Sequence, residues 1–275
     1  MRFTKMQGCG NDYIYVNCFE EKISAPEELA IKISDRHFGI GADGLILILP
    51  PVNDKSDAFM QLYNADGSKA SMCGNGIRCV AKYIYDHGII SKAKRETSID
   101  TPAGIKKISL EVNDNKVIAA TVNMGQAKIT SEIHEEIKID DMKLKFVGVN
   151  VGNPHAVYFL EDNPEIKNIF SWPESKFNIE GPKFETHKRF PERVNSEFIE
   201  IISRDEIKMR VFERGSGETM ACGTGATAAA FAGFKAGKLN SKVLVHLRGG
   251  DLKIEIQNYQ CFMTGPAVEI FSGEI

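Results

Sequence analysis

The tetrapeptides Cys73-Gly74-Asn75-Gly76 and Cys222-Gly223-Thr224-Gly225 each open a segment with helical periodicity. The spacing between them is the one that relates Asp57-Ala-Phe-Met-Gln-Leu-Tyr-Asn64 to Glu206-Ile-Lys-Met-Arg-Val-Phe-Glu213, two strand-like segments standing just upstream. Further pairs follow at drifting spacing. Gly10-Asn11-Asp12-Tyr13 resembles Gly152-Asn153-Pro154-His155, Ala103 to Ile108 resembles Gly249 to Ile254, and Met124 to Ala127 resembles Thr264 to Ala267. The period is too long for a solenoid, so the chain reads as a duplicated domain whose copies differ in loop length. Duplication constrains the chemistry as well as the fold. Each copy offers one thiol from an equivalent position, which suits a reaction needing an acid and a base on opposite faces of one carbon, as in racemisation or epimerisation.

Strand-like segments rich in Val, Ile and Phe recur: Tyr13 to Asn17, Gly44 to Leu49, Ala58 to Tyr63, Ile105 to Val112, Lys116 to Val122, His155 to Leu160, Phe198 to Ser203, Lys208 to Glu213, Lys242 to Leu247, Leu252 to Ile256 and Phe262 to Phe271. Hairpin signals at Asn113-Asp114-Asn115 and Gly249-Gly250-Asp251 imply largely antiparallel pairing. Helices are fewer. Pro26 to Arg36 follows Ser24 as a candidate cap, Asn75 to Asp86 puts Ile77, Val80, Ala81 and Ile84 on one face, and Thr224 to Ala236 is apolar enough to be buried. A short helical piece is expected around Pro164 to Phe170. The fold class that follows is α+β, with two pseudo-symmetric halves, each a curved, mainly antiparallel sheet around one central helix. Residues 1–125 form the half carrying Cys73 and residues 126–262 the half carrying Cys222, with the boundary region between Gln126 and Lys145.

With 43% apolar residues in 275, each half can form a core. A net charge of −3, and a basic stretch from Lys183 to Arg193 broken by Glu185 and Glu192, argue against a nucleic-acid partner. That stretch reads as a solvated loop. No apolar run has the length of a signal peptide or membrane span, so no membrane association is expected. The six cysteines show no Cys-x-x-Cys pair and no zinc-site spacing, which fits free thiols in a reducing cytoplasm and no metal.

A cysteine just before a helix meets the positive end of the macrodipole and unpaired backbone N–H groups, both of which favour the thiolate. The same N–H groups, exposed by Gly74, Gly76, Gly223 and Gly225, can cradle a substrate carboxylate and stabilise the enolate-like charge that grows on it as an α-proton leaves. No cofactor is then required. A single Cys-Gly-x-Gly would read as structural, since free cysteines are mostly buried and inert. Two in register reverse that reading. Cys9, Cys18, Cys79 and Cys261 lack the glycine context and read as core residues, though Cys9 could approach the site. Gly39-Ile40-Gly41-Ala42-Asp43-Gly44 matches the dinucleotide fingerprint, but a helix precedes it and a strand follows, so it reads as a turn.

Taken together, Gly8-Cys9-Gly10-Asn11-Asp12-Tyr13, Arg36 to Gly44, Tyr63 to Gly67, Met72 to Gly76, Gly152 to His155, Arg193-Val194-Asn195 and Glu213 to Gly225 resemble the diaminopimelate epimerase family over nearly the whole chain. The resemblance implies a cofactor-independent two-cysteine epimerase interconverting LL- and meso-2,6-diaminopimelate, a final strand at about 263–275 returning to the first half, a cleft closing on substrate, and a homodimer. By the same resemblance Cys73 and Cys222 are acid and base, and Gly74, Asn75, Gly223 and Thr224 hold the reacting carboxylate. Asn64, Asn153, Asn195 and Arg214 recognise the unreacting end, with Glu213 at its ammonium, and His155 and Glu213 influence the cysteines' protonation. Some members carry glutamine where this chain has Gly44, so one substrate contact is missing here, with Asn11 or backbone groups to compensate. The nearest rival is a proline or hydroxyproline racemase of the same fold. Asn75 and Met220-Ala221 stand where that group carries histidine and Ser-Pro. A thiol redox protein or a binding module is the alternative from another class, and neither would exchange a substrate α-proton with solvent.

Overall fold

The structure, a computed structural model, describes all residues 1–275. It divides into two compact units, Met1–Asn123 with Thr264–Ile275, and Met124–Met263. In chain order the first elements are β1 (Arg2–Gly8), β2 (Asn11–Asn17), α1 (Pro26–Ser34), β3 (Gly44–Leu49), β4 (Ala58–Asn64), β5 (Lys69–Ala70) and α2 (Gly74–Asp86). Then come β6 (Glu96–Asp100), β7 (Lys106–Asn113) and β8 (Lys116–Gln126). The next are β9 (Lys128–Ile129), β10 (Glu135–Ile139), β11 (Met142–Asn150), β12 (Pro154–Phe159), α3 (Glu174–Glu185), β13 (Asn195–Ser203) and β14 (Glu206–Glu213). The chain ends with β15 (Gly217–Glu218), α4 (Gly223–Lys235), β16 (Lys242–Leu247), β17 (Gly250–Gln257), β18 (Gln260–Pro266) and β19 (Val268–Glu274). No helix is long and apolar enough to cross a membrane.

The duplication is legible strand by strand. In the first unit β1 and β2 are antiparallel, β2 and β3 parallel, β3 and β4 antiparallel, β4 and β6 parallel, and β6 and β7 antiparallel. The second unit repeats this order with β11–β12, β12–β13, β13–β14, β14–β16 and β16–β17. Both signalled hairpins form. Asp114 and Asn115 take φ of 48° and 59°, the left-handed pair that a two-residue turn between twisted strands requires. Pairing is largely antiparallel, as expected, and the two parallel pairs in each unit join strands separated by a helical crossover, α1 or α2 in one unit and α3 or α4 in the other, a connection long enough to allow parallel pairing. The final strand, β19, pairs antiparallel with β1 from Arg2↔Glu274 to Gln7↔Val268.

Helix α2 is buried from Gly74 to Tyr85 rather than along one stripe. Burying Ile77, Val80 and Ile84 contributes roughly 1.5–3 kcal/mol each. Its polar residues are buried because they are paired: Arg78 donates to the carbonyls of Gly74 and Pro266, and Lys82 to Asp86 and the Val117 carbonyl. Helix α4 is buried from Gly225 to Gly233, as its alanines foretell. At α1 the capping residue is Ala25, and no side chain caps the helix; Ser24 lies one residue too early. The piece expected around Pro164 to Phe170 is a set of short 3-10 turns, and the longer helix α3 follows it unannounced.

Helix α3 contains Gly181 and Pro182, both poor helix formers, so packing must hold it. Phe177 and Phe184 on α3 are buried against Phe198 and Tyr158, edge-on, with ring centroids 5.0–5.7 Å apart. Gly181 is required there: a β-carbon would fall 2.1 Å from the Phe212 ring.

Candidate active site

In the first unit Cys73 is the N-cap of α2. Its extended backbone (φ −139°, ψ 116°) turns the sulfur over the first helical turn, where it accepts the Gly76 N–H at 3.3 Å. Asn11, at the start of β2, has its side-chain oxygen 3.3 Å from that sulfur and 3.5 Å from the Asn75 amide nitrogen. The Asn11 amide is oriented in turn by Asp43, to which it donates at 2.7 Å. Arg36 bridges Asp43 and Asp12, at 2.9 and 2.7 Å, and Lys5 pairs with Asp12 at 2.5 Å. Burial, and then the neighbouring Asp12 carboxylate, push the Asp43 carboxyl above its usual range. The Tyr13 phenol rises too, because it is buried and next to Cys73. The segment Arg36 to Gly44 is thus no nucleotide loop; it supplies the charged brace behind Asn11.

In the second unit Cys222 caps α4 in the same way, with φ −117° and ψ 109° and the Gly225 N–H donated at 3.3 Å. A β-carbon on Gly225 would stand 2.8 Å from Glu197 and 3.2 Å from the Cys222 sulfur, so glycine is what lets both groups close over the helix. Thr224 places its hydroxyl 3.5 Å from the sulfur, and the Asn153 amide donates to that hydroxyl at 3.3 Å. His155 sits behind Asn153, its Nε2 at 2.9 Å from the amide oxygen and its Nδ1 at 2.7 Å from Glu197. Thr219 donates a hydrogen bond to Glu213, whose carboxylate lies near enough to Cys222 for the two to influence each other.

Asn195 is buried with its amide committed to backbone, accepting from the Arg214 N–H at 3.0 Å and donating to the Pro154 carbonyl at 2.8 Å. It positions Arg214, whose guanidinium is exposed and gives one hydrogen bond to the Glu192 carbonyl. Asn64 donates within its own turn to Ser68 at 2.9 Å. Among the other cysteines, Cys9 is buried with Arg78 Nη2 at 3.9 Å, and Cys79 is buried with its thiol pushed up to about 11. Sequence reasoning missed Asp43, Arg36 and above all Glu197. The signal was the alternation Asn195-Ser196-Glu197, which puts Asn195 and Glu197 on one face of β13.

At Cys222 the Gly225 N–H of the helix start works to lower the thiol, but it is outweighed. Burial raises it well above the usual range, and the Glu213 and Glu197 carboxylates raise it further. A helix terminus is worth about 0.3–2 kcal/mol to an anion, less than burial costs a desolvated one. The help that the helix start gives the thiolate is therefore present at Cys222 but smaller than the opposition from burial and the two carboxylates. The Glu213 carboxyl is itself raised by burial. Because the Glu213 charge opposes the thiolate, Glu213→Gln should move alkylation of Cys222 by iodoacetamide to lower pH, read peptide by peptide in a mass spectrometer. A midpoint that stays put or moves upward would contradict this electrostatic account.

The family model for diaminopimelate epimerase matches residues 3–130 and 147–270 of this chain. The diaminopimelate epimerase of Agathobacter rectalis is 51% identical over the whole chain and 99% of its own length, and that of Acetivibrio thermocellus is 48% identical over the whole chain and 98% of its length. A solved structure of a probable proline racemase from Agrobacterium radiobacter superposes with a TM-score of 0.76 at 15% identity, covering all of this chain and 92% of the racemase; this likeness is one of fold. The chain belongs to the diaminopimelate epimerase family.

Proposed function

We propose that the protein is an amino-acid epimerase that interconverts LL- and meso-2,6-diaminopimelate for lysine and cell-wall precursor synthesis, without pyridoxal phosphate or metal. The observation that carries this reading is the pair of equivalent half-sites, each with a cysteine capping a buried helix and accepting the N–H of the third residue on. Inversion needs one proton to leave a carbon on one face and another to arrive on the other. One thiolate takes the α-hydrogen, its electron pair stays on carbon and carboxylate, and the other thiol delivers its own hydrogen; the two exchange roles in the reverse direction.

Removing that hydrogen builds negative charge on the carboxylate. The first N–H groups of each helix, at Gly74 and Asn75 and at Gly223 and Thr224, have no intrahelical acceptor and meet that charge ready oriented. Arg214 can take the distant carboxylate through two N–H groups, and Glu213 can pair an ammonium. Asn64, Asn153 and Asn195 complete this reading of the unreacting end, Asn195 by fixing the Arg214 backbone. A homodimer in the cytoplasm is part of the same proposal, following the family resemblance and six cysteines that form no disulfide.

The test is incubation with LL-diaminopimelate in deuterium oxide, with reductant and chelator present. Deuterium should enter the α-position as meso product accumulates. Absence of both would end the epimerase reading.

A further inference from the structure

Glu197 is fully buried on β13, and nothing in the epimerase reading requires it. Its Oε1 lies 2.7 Å from His155 Nδ1 with both side chains sealed from solvent, while its Oε2 has no hydrogen-bond partner. A buried carboxylate oxygen left without a donor is costly to bury, so a purely structural role is a poor account of it. The titratable groups near it are His155 and Tyr158 on β12, Glu213 on β14 and Cys222 on α4.

From Glu197 a continuous chain of hydrogen bonds leads to the reacting sulfur: His155, then Asn153 at 2.9 Å, Thr224 at 3.3 Å and Cys222 at 3.5 Å. Its direction is set by chemistry. The Asn153 oxygen faces His155 Nε2, so that nitrogen must carry a proton and donate. The Asn153 nitrogen therefore faces Thr224 and donates to its oxygen, which leaves the Thr224 O–H free to donate to sulfur. If Nε2 carried no proton, the amide would turn over, its oxygen would take the Thr224 hydrogen, and the sulfur would lose that donor. The short Nδ1 to Oε1 contact likewise needs a proton between its atoms.

We propose that Glu197 is a positioning residue for Cys222: by holding a proton against His155 Nδ1 it keeps Nε2 as the donor and so aims the Thr224 hydroxyl at the sulfur. The proposal rests on the epimerase reading for its effect on rate, but not for the hydrogen-bond direction. Without Glu197 either ring nitrogen can carry the single proton of neutral imidazole, and the chain loses its fixed sense. Donors that stabilise a developing thiolate are worth most when already oriented, so the effect falls on turnover rather than on binding.

The test compares Glu197→Met with Glu197→Gln. Methionine cannot hold Nδ1, and kcat should fall on the order of tenfold to a hundredfold with KM nearly unchanged. Glutamine can donate to Nδ1 and keep Nε2 protonated, so it should recover most of the lost rate. Long-range nitrogen–proton NMR of the wild-type protein should find a proton on His155 Nε2 at neutral pH. The proposal is overturned by an unprotonated Nε2, by a Met variant with near wild-type kcat, or by a Gln variant as slow as the Met one. Should the Met variant not fold, the His155 spectrum of wild type and of the Gln variant decides alone. A wild-type protein inactive on diaminopimelate would overturn the functional reading, and the protonation of His155 Nε2 would then decide the role of Glu197 by itself.

Discussion

Replacing Cys222 with alanine should lower epimerisation by about a thousandfold or more, and Cys73→Ala should do the same, because inversion has no acid or base on one face once either sulfur is gone. The cysteine is also an N-cap, so part of any loss could come from an unravelled helix. Serine separates the two roles. Its hydroxyl is among the best caps, replacing an acceptor whose removal costs roughly 1 kcal/mol, but it is far too weak an acid to exchange an α-proton at neutral pH. Cys222→Ser should therefore unfold in urea near the wild-type midpoint while remaining as inactive as Cys222→Ala. The readouts are α-deuterium incorporation and the unfolding curve. A folded serine variant that kept a tenth of the activity would remove Cys222 from the chemistry.

The second large effect concerns Gly44, where some family members carry glutamine. Restoring that residue here should destabilise the protein by about 3 kcal/mol or more and should not improve turnover. The reason lies in the backbone. Gly44 opens β3 opposite Asn64 on β4, and a β-carbon there would sit 2.1 Å from the Tyr63 carbonyl oxygen, 3.0 Å from the Tyr13 ring and 3.1 Å from the Asn64 Cα. A flexible side chain could yield, but a carbonyl held in a strand ladder cannot without moving the strand. Glycine at this position is thus built into how β3 meets β4, and Asn11, oriented by Asp43, is a polar side chain that this unit places beside Cys73. Chemical denaturation of Gly44→Gln beside Gly44→Ala measures it. If both unfold within about 1 kcal/mol of wild type, the close approach of the strands is not what excludes a side chain.

Several features could be read from the residues because they depend on local rules. The helices after Cys73 and Cys222 follow from glycine-opened apolar periodicity, and the turn at Asp114-Asn115 from residues that tolerate positive φ. Helix α3 was invisible for the opposite reason: its own residues disfavour a helix, and only the Phe177 and Phe184 contacts with distant strands make it one. The same division runs through the site. Asn153 and Asn195 stood out by resemblance, yet Asn195 proves to be a backbone clamp. Glu197 looked like one more polar residue beside a strand.

Chain order and residue type were enough to place two equivalent thiols at two helix starts, and with them the class of reaction, because capping and periodicity act over a few neighbouring residues. The protonation of Cys222 was another matter. It depends on how deeply the sulfur is buried and on which carboxylates close over it, Glu213 from β14 and Glu197 from β13, and electrostatic energies follow distances through space rather than separations along the chain.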